Sequence, residues 1–150
     1  MSAMAAPSTP KPIDPRGPRL NQAVLAAGLL VGFLLDWRPA VPLFAAVLLP
    51  GAAFGARYGP VLRFYSAVVR PRLEPPHELE DPRPPRFAAT LGVLVLAGAT
   101  VAFVAGAPGL GWGLALLVAA LAALAATTGV CIGCEIYLLV ARRRGVELAA

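Results

Sequence analysis

The only two cysteines of this 150-residue chain, Cys131 and Cys134, stand three apart in Cys-Ile-Gly-Cys and are followed at once by Glu135. On a helix this spacing puts both thiols on one face, with Glu135 a turn beyond Cys131 on the same side. A disulfide tolerates Cα separations of about 4.4–6.8 Å, which the spacing permits. Three chemistries fit such a group. The pair could act as a dithiol that cycles with a disulfide or carries a persulfide. Glu135 would then move a proton, although its charge beside a thiol raises the thiol pKa. The thiolates could instead bind a metal, but a closed zinc site takes four ligands. The chain offers two thiolates, Glu135 and the distant loop residue His77, so a homodimer would have to complete the set. Last, the cysteines could be small packing residues of an anchoring or structural subunit. The first reading is carried forward, with Cys131, Cys134 and Glu135 as the catalytic candidates and with no cofactor or metal required.

These residues follow a long apolar stretch. The chain is 58% hydrophobic and 14% charged, against roughly 25% charged in ordinary soluble domains, and its mean hydropathy is +0.72. No charged residue occurs between Phe87 and Cys134, and none between Pro39 and Ala56. A bilayer span takes about 20 apolar residues. The longer gap therefore predicts two spans joined at Gly106–Gly109 and the shorter gap predicts one; a further run covers Asn21 to Leu35. The fold expected is an all-α integral membrane protein with four transmembrane helices. Ionisable residues that would mark a transport route are missing from the spans, which places a small-solute transporter below the other readings.

The net charge of +5 comes from 13 basic residues, all but Arg38 falling on one side of these spans. The positive-inside rule then predicts a multi-pass inner-membrane protein with both termini and the central loop in the cytoplasm, and no nucleic-acid partner is needed to explain the charge. Counting about 21 residues from Leu110 at 1.5 Å each brings Cys131 to the cytoplasmic interface. Thr127, Thr128 and Gly129 are expected to loosen the helix just before the pair. A restart there would put Cys131 at a helix N-terminus, which favours thiolate.

Asp14-Pro-Arg-Gly-Pro-Arg-Leu20 recurs as Asp81-Pro-Arg-Pro-Pro-Arg-Phe87, and Gly51-Ala-Ala-Phe-Gly-Ala-Arg57 matches Gly129-Val-Cys-Ile-Gly-Cys-Glu135. Two parallel-repeat hairpins follow, over 14–57 and 81–142, related by an axis along the membrane normal. In this alignment Ala53 and Ala56 stand where the cysteines stand, and Arg57 matches Glu135. If the halves meet, Arg57 could lower a thiol pKa; otherwise it is a cytoplasmic anchor. Residues 1–13 read as a disordered cytoplasmic tail and 143–150 as a second cytoplasmic tail. Between the repeats, 58–80 carries an amphipathic surface helix from Pro60 to Leu73 followed by a Pro-rich linker. The lipid bilayer is thus a partner in itself. Arg16, Arg19, Arg83 and Arg86 are expected to hold helix starts to lipid headgroups through phosphate contacts. Gly51/Gly55 and Gly129/Gly133 would allow close helix approach, Trp37 and Trp112 would form an outer aromatic belt, and Asp36 and Arg38 would be a solvated pair.

With Asp14-Pro-Arg-Gly-Pro-Arg-Leu-Asn21, Pro-Arg-Phe-Ala at 85–88 and Gly129-Val-Cys-Ile-Gly-Cys-Glu-Ile-Tyr137, the chain resembles a bacterial, actinobacterial-type family of small membrane proteins known as a domain of unknown function. The resemblance covers roughly residues 13–142. Its most specific part is Cys-x-Gly-Cys-Glu-x-Tyr, carried here by Cys131, Gly133, Cys134, Glu135 and Tyr137. A further Cys-Pro near the N-terminus of some members is missing here, which removes a resolving cysteine from that tail. The company such members keep implies a thioredoxin-like or rhodanese-like soluble partner.

Overall fold

A computed structural model describes residues 11–145; most of the two proposed tails, 1–10 of the first and 146–150 of the second, lies outside the described residues. The described residues are mostly helical: α1 (Arg16–Leu34), α2 (Ala40–Phe54), α3 (Pro60–Phe64), α4 (Arg83–Val104), α5 (Pro108–Thr128) and α6 (Ile132–Arg143). No strand forms among the described residues, and the one isolated bridge pairs Ile13 with Glu80.

Two helices, α4 with 22 residues and α5 with 21, are long and apolar enough to cross a membrane. At 1.5 Å per residue each is about 30 Å long, one hydrocarbon thickness. Much of their apolar surface faces outward: Leu94 is 63% exposed, Val101 66% and Val104 85%. A helix in the core of a soluble protein would bury such residues. The apolar helix α2 is shorter, at 15 residues. In α1 only the stretch after Arg19 is free of charge, so neither first-half helix alone matches the expected span length.

Neighbours in sequence are not the main neighbours in space. Helix α1 packs chiefly on α5 and α2 chiefly on α4, while α4 also lies against α5 and α6. Leu25, Leu29, Val41, Leu48, Leu96, Ala99, Ala115 and Ala122 close the common core. Alanines on α5 let its partners approach. Helices α1 and α2 touch lightly, mainly near their shared turn, where Gly32 is so close to Ala40 that an added Cβ would lie 2.6 Å from the Ala40 methyl. The first pair is therefore splayed, and the second, α4 with α5, is a closely packed hairpin.

At the turn end of the bundle the aromatic reading changes. Trp112 is only 8% exposed. Phe33 and Phe103 meet its ring edge-on at 5.4 and 5.1 Å, and its indole N–H donates to Asp36 Oδ1 at 3.0 Å. It is a buried anchor rather than a belt residue, because the α1–α2 turn brings a carboxylate to its N–H. Trp37 does face outward. Arg38 is 3.9 Å from Asp36 and also lies over the Phe103 ring at 5.8 Å.

At the opposite end, Asp14 and Asp81 are buried and open α1 and α4 in the same way. Each carboxylate accepts the backbone N–H and the guanidinium of the arginine two residues on, Arg16 or Arg83. Asp14 also accepts from Tyr65 Oη at 2.8 Å, and Arg16 donates to the Glu74 carbonyl at 2.9 Å. Burial pushes the Asp14 carboxyl up, but the bonds from Arg16 and Tyr65 outweigh it and hold the group below its ordinary 3.8. The expected surface helix after Pro60 is a mixed helical segment: α3, then a π turn over Tyr65–Val69, then a 3₁₀ turn over Arg70–Arg72. The π turn falls where Tyr65 points inward to Asp14.

Candidate functional site

Helix α5 stops at Thr128 because Gly129 adopts φ +77°, a left-handed conformation that glycine accepts without strain. A Cβ on Gly129 would meet the Arg19 guanidinium at 2.7 Å, so that arginine lies directly across the break. The chain is extended through Cys131 and re-enters helix at Ile132. Cys131 is the N-cap of α6, and its Sγ accepts the Cys134 backbone N–H at 3.4 Å. The loosened helix and restart expected at 127–131 are therefore present. The partial positive charge at a helix N-terminus favours an anion in this position.

The two half-buried thiols divide their proton unequally. A hydrogen bond from the Cys134 side chain, together with the Cys134 and Gly133 backbone N–H groups, holds the Cys131 thiol down to about 7 against the effect of burial. The same thiol–thiol bond, burial and the neighbouring Cys131 charge push Cys134 up, with Glu80 and Glu135 adding to it. Of the two, Cys131 is the thiol set to ionise first and Cys134 the one set to keep its proton. Both sulfurs are free.

Both cysteines line a cleft of about 560 Å³ whose other polar walls are Arg19, Gln22, Glu78, Glu80, Asp81 and Glu135. Cys131 also lines a second, largely apolar cavity of about 240 Å³ on its other side, from which Cys134 is excluded. Helix α6 is fixed by close contact with α4: a Cβ on Gly133 would lie 2.9 Å from the Ala88 methyl, and Tyr137 packs on Phe87 at 5.6 Å. The small residue at 133 therefore allows the close approach expected of it. Gly51 sits at ordinary distance from Gly59, and Gly55, with φ +118°, ends α2.

Glu135 is exposed; its backbone N–H closes the first turn of α6 on the Cys131 carbonyl at 2.9 Å. Its charge raises both thiols. Arg57 is exposed in a short 3₁₀ turn, Ala56–Tyr58, and apart from burial the strongest influences on the thiols come from each other, Gly133, Glu80 and Glu135. The alignment of Ala53 with Cys131 does not hold as local structure: Ala53 is in the last turn of α2, whereas Cys131 opens α6. The residue that opens α3, as Cys131 opens α6, is Gly59.

Of the four arginines expected at headgroups, three donate to acceptors of the protein itself. Arg16 and Arg83 clamp Asp14 and Asp81, and Arg86 donates to the Ala52 and Ala53 carbonyls at 3.0 and 2.8 Å, at the end of α2. Arg19 lies over Gly129. Arg19, Gln22 and Glu80 reach the cleft from parts of the chain far from Cys131, and no local spacing signals them. No group of three or more His, Cys, Asp or Glu side chains that could hold a metal occurs among the described residues.

The chain belongs to the family described as a domain of unknown function, DUF4395, whose model matches residues 13–142. Comparison with curated proteins and with solved structures returned no match.

Proposed function

We propose, for this member of that family, a membrane-embedded protein that exchanges disulfides or sulfane sulfur with a soluble thioredoxin-like or rhodanese-like partner through Cys131 and Cys134. The observation that carries the reading is the capped thiolate position of Cys131, bonded to a proton-holding Cys134 on the wall of a polar cleft. In the exchange, the Cys131 thiolate attacks one sulfur of the partner's disulfide, forming a mixed disulfide and expelling the partner's other thiolate. Cys134 gives its proton to that leaving thiolate and attacks Cys131 Sγ. The partner leaves as a dithiol and the pair is oxidised; the reverse order reduces the pair. With a persulfide donor, Cys131 takes the terminal sulfur and the donor thiolate leaves. The exposed Glu135 lines the same cleft.

We read α1, α2, α4 and α5 as four spans, with the cleft and both termini facing the cytoplasm. In support, Arg16, Arg19, Arg83 and Arg86 gather where α1 and α4 begin and α2 and α5 end, while Arg38 lies at the other end beside Asp36. A parallel repeat is supported by three matches. The α1–α5 pairing corresponds to the α4–α2 pairing. Asp14–Arg16 repeats as Asp81–Arg83. Arg19 over the end of α5 matches Arg86 over the end of α2. In this register Gly59 takes the place of Cys131, so one half is reactive and the other inert.

Cys134→Ser should accumulate a mixed disulfide with a thioredoxin-like protein, and Cys131→Ser should abolish it. Equal capture by both variants, or by neither, overturns the reading.

A further inference from the structure

We propose that the apolar cavity on the far side of Cys131 is the site of a lipid-soluble quinone, which accepts the electrons of the dithiol. The proposal rests on the dithiol reading above and names the second substrate of that same pair. An exchange cycle with a soluble dithiol leaves Cys131 and Cys134 reduced, and turnover then needs a two-electron acceptor. The polar cleft serves the soluble side. The cavity serves a different class of ligand.

Four observations define that class. The lining carries no charged side chain, which excludes an anionic or cationic ligand. Its walls include Leu48, Val95, Val118 and Leu121, from α2 and the two long apolar helices α4 and α5, so the site is built into the apolar body of the protein. Within this aliphatic wall the amides of Asn21 and Gln22 are the hydrogen-bonding side chains other than the thiol, and their N–H groups suit the carbonyl oxygens of a neutral ring. The volume, about 240 Å³, exceeds the roughly 150 Å³ that accommodates benzene in an apolar cavity, and so takes a substituted six-membered ring while its isoprenoid tail stays outside. Cys131 is the one thiol that reaches both spaces.

The step balances. The Cys131 thiolate and the Cys134 thiol give up two electrons and one proton, and a second proton comes from water. One sulfur–sulfur bond forms between Cys131 and Cys134, and one quinone becomes one quinol. The partner's dithiol then attacks the disulfide at Cys131 from the cleft and returns the pair to its reduced form.

The test uses the full chain, reduced and reconstituted in lipid nanodiscs, with a short-tailed benzoquinone as the probe. Quinol absorbance and free thiols are followed together. One quinol is expected for each disulfide formed, with none in Cys134→Ser. Asn21→Leu should raise the KM for the quinone at least fivefold and leave exchange with a soluble dithiol unchanged. Ala89→Leu, which fills the cavity, should do the same by exclusion and covers the case in which Asn21→Leu fails to fold. Dithiol exchange without quinol formation overturns this proposal alone. A fatty-acyl adduct on Cys131 that is released by hydroxylamine, without quinol, also overturns it, because the cavity would then hold an acyl chain. Loss of both reactions in the unaltered protein overturns the dithiol reading beneath it.

Discussion

At the scale of single residues, the difference between the two thiols is the working feature. Two cysteines of the same kind, three apart, are set on opposite courses by one backbone break: the first becomes a cap and the second a donor to it. Since the thiolate is the reactive form, alkylation of Cys131 should rise with pH through a midpoint near 7. Cys134 should stay unreactive throughout that range while Cys131 is intact. Peptide mass mapping after a short iodoacetamide pulse between pH 5.5 and 9 would check this; equal labelling of both cysteines at pH 7 would refute the asymmetry. The pair, its order and Glu135 are legible from sequence, because Cys-Ile-Gly-Cys-Glu is a local signal. The cleft's other walls are not: Arg19 and Glu80 arrive there through the packing of α1 on α5 and the pairing of Ile13 with Glu80, neither of which has a local pattern.

At the scale of elements, glycines and prolines set where helices stop. Pro108 opens α5, and Gly129 closes it in a left-handed turn. A β-carbon at Gly129 would bring a conformational cost of about 1–2 kcal/mol and would press on Arg19. Gly129→Ala should therefore lower stability by about that amount. It should also shift Cys131 from its cap position, bringing the alkylation midpoint back towards the ordinary thiol value. Thermal unfolding and the same labelling series would read both effects. Element existence was well marked by the uncharged stretches, and α4 and α5 fall where hydropathy puts them. The expected correspondence of Gly51 with Gly129 fails because Gly51 lies inside α2, four residues before the glycine that ends it. Matching letters there did not mark matching turns. The expected aromatic belt fails at Trp112 for a related reason. Periodicity says that a tryptophan is near a helix end, but not that Asp36 will fold over to accept its N–H.

At the scale of the whole molecule, the exposed aliphatic surface of α4 and α5 and the gathering of arginines at one end make a definite prediction. The protein should resist alkaline carbonate extraction from membranes. A cysteine introduced at Trp37 should be labelled by an impermeant maleimide from the side opposite to Cys131. Labelling of both from the same face of sealed vesicles would contradict the four-span arrangement. Composition pointed directly to the two helices long and apolar enough to cross a membrane. It did not reveal that the first pair of helices is splayed, since that depends on which helix supplies the alanine face that α1 and α4 both need, and α5 supplies it.

The preference of α1 for α5 has a bearing on biogenesis. Helix α1 is synthesised well before α5, its principal packing partner. Its opening clamp also waits, for Tyr65, for the Glu74 carbonyl, and for Glu80 to pair with Ile13. At about 5–20 residues per second, translation leaves roughly 4–15 seconds between completion of α1 and the emergence of α5. Throughout that interval α1 is held only lightly by α2, with Tyr65, the Glu74 carbonyl and Glu80 not all in place. Truncation before α5 should therefore yield a fragment cleared by quality-control proteases rather than a smaller stable protein.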